Sequence, residues 1–287
     1  FFKLLSLRSK VKSINPTWLN HTFNRQININ GKFNKTDVSF SMKKYEASDI
    51  DKREDYLTSY KIESAIGDEN FVNDLHTYLY SGVVRKNDKV VRLCNASFKS
   101  PYFFDSDEVV DEYAYAVSNK KERKTIIKHI VEFLSEIEPS VVDIRFLEQD
   151  DIFRFIVETD TQGTDLDITA YGEGIQRIWS IALSIASCRN GILCIDEFET
   201  AIHYSLLLKF TKYVQKLAEI FNVQLFLTSH SKECIDAFVL NGYSNDSITG
   251  YLLEKKGKEL HAKKVKGDRL EKLVNSIDLD IRGAVSE

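Results

Sequence analysis

Several things are missing from this chain of 287 residues. It has 12 glycines and 3 prolines, and no low-complexity linker or internal repeat separates its segments. The 4 cysteines (Cys94, Cys188, Cys194 and Cys234) show no CxxC spacing, and two of them sit in apolar stretches. That speaks against a zinc or disulfide framework and for buried thiols in a reduced, cytoplasmic setting. No apolar run approaches the ~20 residues needed to cross a bilayer, and no signal-peptide pattern opens the sequence. The 6 histidines contain no HExxH or paired spacing, so zinc hydrolysis is not expected. A net charge of −4 gives no overall pull toward nucleic acid or an anionic membrane. Most telling, no Gly-x4-Gly-Lys-Ser/Thr phosphate cradle is present: the Gly-Lys pairs are Gly31-Lys32 and Gly257-Lys258, and neither has the required neighbours.

What is present suits a soluble globular chain, with 43% hydrophobic and 29% charged residues. The first residue is Phe1 and the single methionine is Met42. The opening FFKLLSL reads as the tail of an amphipathic helix, so we expect roughly 30–45 upstream residues holding a first strand and phosphate loop. Alternating polar and apolar residues at 26–34 and 38–45 predict a hairpin turning near Gly31. Residues 46–80 are charged and helix-favouring, with Ile62, Ala65, Ile66, Phe71, Leu75 and Leu79 at helical spacing. Two helices interrupted at Gly67-Asp68 are expected there, then a strand near 89–98. Residues 120–137 form an amphipathic helix that Pro139 stops. A hairpin should follow around Asp150-Asp151. This organisation gives three expected parts: 1–45 as the rest of an N-terminal lobe, 46–135 as a mainly helical insertion, and 136–287 as the core.

From residue 171 the pattern changes. Ile175, Ile178, Trp179, Ala182, Leu183, Ile185 and Ala186 are apolar nearly all round a helix, which predicts a buried one. Residues 192–195 and 223–227 are short apolar runs of the kind found in central parallel strands, with a helix over 203–220 between them. The order strand, helix, strand predicts an α/β fold with a mostly parallel sheet. A terminal hairpin around Gly257 and a short helix near Asn275 complete the chain.

Three features in this region carry chemistry. First, Ile192-Leu-Cys-Ile-Asp196-Glu197 places two adjacent carboxylates at a strand end, a costly arrangement unless a cation sits there. Asp196 suits a Mg²⁺ shell, and Glu197 suits the orientation or deprotonation of an attacking water. Second, Thr228-Ser229-His230 ends the next strand on the same carboxyl edge, where α/β ligands bind. A histidine there can donate to a γ-phosphate. Third, Gly172-Glu173-Gly174 precedes the buried helix, whose free N–H groups and positive dipole end attract phosphate.

Together these residues resemble the ABC-type ATPase heads of the SMC and OLD clade, and among them the stand-alone AAA-annotated ATPases of bacterial antiphage systems. GEGIQR (172–177) resembles the signature motif and ILCIDE (192–197) the Walker B strand. ETAIH (199–203) is similar to a D-loop, LTSHS (227–231) to the switch-histidine strand, and DLDIRG (278–283) to the group's tail. NPTWLN (15–20) and SPYFF (100–104) are shorter likenesses. The resemblance implies a P-loop NTPase fold of the ABC head type, ATP and Mg²⁺ as cofactors, and a head-to-tail homodimer with two ATPs sandwiched. It implies Asp196 as the metal carboxylate, Glu197 as catalytic base and His230 as γ-phosphate switch. Gly172, Gly174, Ile175 and Arg177 would form the signature offered in trans, with Ala201 to His203 communicating across the dimer. An effector protein such as a nuclease or toxin is the implied partner.

Some positions depart from the pattern. Gly172 stands where a serine is common, Tyr204 where a proline often follows, and the Q-loop glutamine has only Gln26 and Gln162 as candidates. No zinc hook or heptad arm is present, and too few residues follow His230 for a TOPRIM nuclease domain. Two other readings remain open, a nucleotide-gated scaffold and a DNA-sensing ATPase. Asp105, Asp107 and Glu108, or Asp165 and Asp167, would suit metal ligation but are more simply acidic turns. Lysines at 120–124 and 255–266 would suit nucleic acid but equally a solvated face.

Overall fold

A computed structural model describes residues 26–33, 35–45, 56–78, 82–86, 94–99, 113–114, 120–149, 152–161, 165–256 and 259–277. The chain divides into two compact units, residues 1–92 and 93–287. The expected boundary at 135/136 therefore falls inside the second unit, within a helix.

In the first unit, β1 (Ile27–Phe33), β2 (Thr36–Tyr45), β3 (Tyr56–Ile66), β4 (Glu69–Tyr78) and β5 (Gly82–Lys86) form an antiparallel sheet in chain order. The hairpin expected over 26–45 forms, but it turns at Lys35, whose φ is +69°, and Gly31 pairs with Val38 inside the ladder. The helical reading of residues 46–80 is overturned for 56–78. Gly67 is not a helix break but the turn of the β3–β4 hairpin, with φ +54°. Tyr60 is buried while Lys61 and Glu63 are exposed, which is the period of two of a half-buried strand. Glu, Lys and Ala in β3 favour helix locally, and pairing on both sides overrides that preference. The core of this sheet is unusually polar. Ser59 and His76 are buried and share a 2.8 Å hydrogen bond, and Thr77 donates to the carbonyl of Thr58 at 3.0 Å.

The second unit contains β6 (Ala96–Lys99), α1 (Lys120–Ile137), the antiparallel strands β7 (Val141–Gln149), β8 (Ile152–Thr159) and β9 (Leu166–Asp167), and α2 (Glu173–Ser187). It continues with β10 (Ile192–Ile195), α3 (Tyr204–Phe221), β11 (Gln224–Leu227) and α4 (Lys232–Leu240). A hairpin of β12 (Thr249–Lys256) and β13 (Glu259–Lys266) follows, and then α5 (Gly267–Ile277). These elements match the periodicities of 120–277 closely. Of the strand expected near 89–98, residues 96–98 belong to β6, 94–95 precede it and 89–93 lie outside the described residues; β6 lies parallel to β10, as β11 does on the other side. The opening helix end, the 15–20 and 100–104 segments and the 278–283 tail lie outside the described residues.

Helix α2 is buried from Arg177 to Ser187, which its all-round apolar surface requires. Trp179 at its centre meets Phe155 of β8 edge-on, with ring centroids 5.4 Å apart. Phe133 of α1 stacks on Tyr213 of α3 at 3.9 Å. One continuous apolar core therefore runs from α1 through α2 and α3 to the inner face of β10. It includes Leu193 and Ile195 of β10, the strand that leads into Asp196 and Glu197. Among the described residues no helix is long and apolar enough to cross a membrane.

Candidate nucleotide site

Parallel register sets the site. Ile195 ends β10 level with Lys99 of β6 and Leu227 of β11, so three strand ends share one edge. The ladder extends one residue further: Asp196 N–H donates to the Lys99 carbonyl at 2.9 Å, and Thr228 N–H donates to the Ile195 carbonyl at 3.0 Å. The backbone then leaves the sheet sharply. Glu197 takes φ +47° and Ala201 φ +66°, both left-handed conformations that L side chains enter at a cost of roughly 1–3 kcal/mol each. Fully buried Phe198, stacked on Phe210 with centroids 5.2 Å apart, anchors the turn between them.

Thr228 organises the carboxylate pair. Its hydroxyl donates to Asp196 Oδ1 at 2.6 Å and accepts the Glu197 N–H at 2.9 Å. The Phe198 N–H donates to the Thr228 carbonyl at 3.0 Å. Glu197 turns away from Asp196, and Thr200 Oγ1 reaches its Oε2 at 3.5 Å. The two carboxylates thus occupy different positions, as two separate tasks require.

His230 follows at the same edge with an exposed side chain. Its backbone N–H and that of Ser231 both donate to Glu199 Oε1, at 2.9 and 3.1 Å. The helix cap here is Ser231, whose Oγ accepts from the Cys234 N–H at 3.1 Å, so His230 is not engaged as a cap. His203 does cap a helix: its Nδ1 accepts from the Ser205 N–H at the start of α3.

At the N-terminus of α2, Gly172 is the cap residue and provides no side-chain hydrogen bond. A Cβ on Gly172 would meet nothing within 4 Å, whereas one on Gly174 would lie 3.1 Å from the Ala201 carbonyl oxygen. Gly174 therefore lets the helix start lie against the turn that follows Glu197. Ile175 packs on the core. Arg177 is buried, with its guanidinium reaching 3.5 Å from the Asp196 carbonyl oxygen. Burial lowers its pKa to about 10, and the charge of Glu199 opposes that shift. Arg177 thus supports the carboxylate turn of its own chain from beneath.

Other candidates fall elsewhere. Asp165 pairs with Arg145 at 3.1 Å, and Asp167 caps the short 3₁₀ turn at Ile168 by accepting from Thr169 N–H at 2.9 Å. Asp105, Asp107, Glu108 and Gln162 lie outside the described residues. Gln26 belongs to the first unit and donates to Asn28 at 2.9 Å. The strand end beside Asp196 belongs instead to Lys99, which is buried. Sequence reasoning quoted Thr228 and Glu199 only as members of motifs, without these contacts, and did not name Lys99. The register of β10 against its neighbours would have found the first and last.

The donor set fits a magnesium ion. Among the described residues no group of three or more His, Cys, Asp or Glu forms a cage. Mg²⁺ asks for one or two carboxylates, with water and substrate phosphates completing the shell. Asp196, backed by Thr228, offers hard oxygen of that kind.

A model of the AAA ATPase domain matches residues 9–235. The chain belongs to that family. The motif-bearing part of this AAA ATPase domain is α/β, with β6, β10 and β11 parallel. An uncharacterized protein of Methanocaldococcus jannaschii, MJECL11, is 33% identical over 114 residues, which cover 39% of this chain and 99% of that protein. Among solved structures, the SMC head bound to the C-winged-helix domain of ScpA gives a TM-score of 0.42 at 8% identity, covering 82% of this chain and 77% of that one. The SMC head domain from Thermotoga maritima gives 0.37 at 9% identity, covering 77% and 78%. At these scores the likeness is one of outline, and the family rests on the domain match.

Proposed function

We propose that this ATPase domain hydrolyses Mg-ATP between two heads and uses that cycle to control a partner effector. The observation that carries the reading is the shared strand edge, where Asp196, Glu197, Thr228 and His230 meet beside an open helix N-terminus. Asp196 would hold Mg²⁺, which when bound neutralises phosphate charge. Glu197, turned away from Asp196, accepts the proton of the attacking water. His230 donates to the γ-phosphate from an exposed loop and registers its loss. The α2 N-terminus starts at exposed Gly172 and Glu173 and would suit the phosphate of a second copy docked head to tail.

A dimer that forms on ATP and opens on hydrolysis gives a partner two shapes to distinguish. A nuclease or toxin held by one shape would be released by the other, which suits an antiphage role. ATP-driven dimerization and DNA-stimulated activation of SMC ATPases, and the binding of ScpA by an SMC head, are properties of those proteins.

The test is Glu197→Gln in the intact protein. Phosphate release should stop while ATP still binds and the dimer accumulates on a sizing column. Hydrolysis by the variant at the wild-type rate would overturn the assignment of the base.

A further inference from the structure

We propose that Thr228 is a positioning residue of the ATP site: its single hydroxyl aims the metal carboxylate of Asp196 and holds the backbone that turns the Glu197 base away from it. The role rests on the ATP-site reading above; the grip on the turn does not. Three consecutive residues of the turn after β10 are held by this one residue at the end of β11. Its Oγ1 donates to Asp196 Oδ1 at 2.6 Å and accepts the Glu197 N–H at 2.9 Å, and its carbonyl accepts the Phe198 N–H at 3.0 Å. A hydroxyl has one proton, and here Asp196 takes it, so one orientation of the hydroxyl serves both bonds.

Glu197 is where such a hold is needed. Its φ of +47° is left-handed, a conformation that persists in a non-glycine residue only where its neighbours over-determine it. Two restraints on the turn run from backbone to backbone: the Phe198 N–H to the Thr228 carbonyl, and the Thr200 N–H to the Glu197 carbonyl at 3.1 Å. A third, from the Glu197 N–H, ends on a side chain, so a single substitution cuts it without touching the sheet. Thr228 is exposed, where water competes for each bond and the net gain in stability is small. The bonds act on direction instead. A metal carboxylate held by a donor keeps its orientation, and loss of such a partner costs about 10–100-fold in metal affinity or activity. A base misplaced by about 1 Å loses about 10²-fold in rate.

Thr228→Val keeps the branched shape and removes the hydroxyl, whereas Thr228→Ser keeps the hydroxyl and removes the methyl group. In Thr228→Val the Glu197 amide of the nucleotide-free intact protein should exchange about tenfold faster, read at single-residue resolution. Mn²⁺, added with ADP and followed by its paramagnetic signal, should bind about tenfold more weakly. The kcat should fall about 10–100-fold, with the KM for ATP within about threefold of wild type. Thr228→Ser should bring all three values back to within about threefold of wild type. A serine variant as impaired as the valine one assigns the effect to packing of the methyl group and overturns the proposal. So do wild-type kcat and Mn²⁺ affinity in Thr228→Val. A lower melting temperature with unchanged kcat per folded molecule, the mark of a merely structural threonine, overturns it too. Should Thr228→Val fail to fold, Thr228→Ala meets the same three expectations. A wild-type protein that neither binds Mn²⁺ with ADP nor turns over ATP sinks the ATP-site reading and the role with it, and the Glu197 amide then decides the grip alone.

Discussion

The two sheets of this molecule are built on opposite plans. In the first unit, strands of up to 11 residues pair with their neighbours in the sequence through hairpins. In the second, β6, β10 and β11 are four residues each and parallel, and their partners lie far apart in the chain. A hairpin sheet ends in tight turns that lead from one strand to the next. A parallel sheet ends in crossover loops, and all of its carboxyl ends face the same way. The short sheet therefore brings residues 99, 196 and 228 to one edge. The long sheet buries Ser59 and His76 against each other.

The largest effects that separate the plans belong to the short sheet. Glu197→Gln should lower kcat by about 10²–10⁴-fold. Its melting temperature should hardly change, because among the described residues the Glu197 carboxylate's one hydrogen bond is the 3.5 Å contact with Thr200. Next comes Gly191→Ala. A Cβ there would lie 1.9 Å from the Asn95 carbonyl oxygen, which accepts the Ile192 N–H at 2.9 Å and so fixes the β6–β10 register. Neither backbone can yield without parting the strands. We expect a loss of about 3 kcal/mol or more in urea unfolding. A loss under about 0.5 kcal/mol would show that the register tolerates slippage.

The same contrast explains what the sequence revealed. From 120 to 277 the elements could be read because each declares itself: α2 is apolar all round, β10 and β11 are runs of four, and a Ser-His pair ends one of them. Glu197 and Asp196 stood out because adjacent acids follow an apolar strand. The first unit misled because Ile62, Ala65, Ile66, Phe71 and Leu75 fit a helical spacing, while the alternation of Lys61 and Glu63 with Tyr60 and Ile62 fits a strand. Only pairing across strands decides between them. The contacts of Glu199, quoted only as the start of a D-loop likeness, stayed hidden for a related reason. Its task is to receive amides from 31 and 32 residues away, and nothing in a local window records that.

In the long sheet, changes should cost stability and leave chemistry alone. Ser59→Ala removes the buried 2.8 Å hydrogen bond to His76 Nδ1, costing about 1–3 kcal/mol. ATP turnover per folded molecule should match wild type. A fall in kcat greater than threefold would show that the polar core of this sheet participates in the cycle.

A gentler probe uses pH. Burial raises the Cys234 thiol to about 12, while an unfolded chain releases that proton near 9.0. The stability tied to the protonated thiol is fully present below about pH 9 and is lost as pH rises toward 12. Tyr60 in the long sheet, also raised by burial from its ordinary 10.0 to about 12, acts in the same direction. Melting temperature should therefore fall between pH 9 and 11, and Cys234→Ala should fall less steeply. An equal slope for that variant would assign the alkaline loss to the tyrosines.

The smallest expected change returns to the short sheet's edge. Gly172 caps α2 without a side chain, and a Cβ there has open space around it. Gly172→Ser should stabilise the fold by only a few tenths of a kcal/mol, the usual margin of serine over glycine at a cap. Its value lies in what it tells about the second copy. If Gly172 faces the γ-phosphate held by a partner head, the added hydroxyl supplies a donor, and the ATP concentration for half-maximal dimerisation should drop several-fold. If it faces only solvent, dimerisation will not change, and the helix N-terminus has no part in joining the heads.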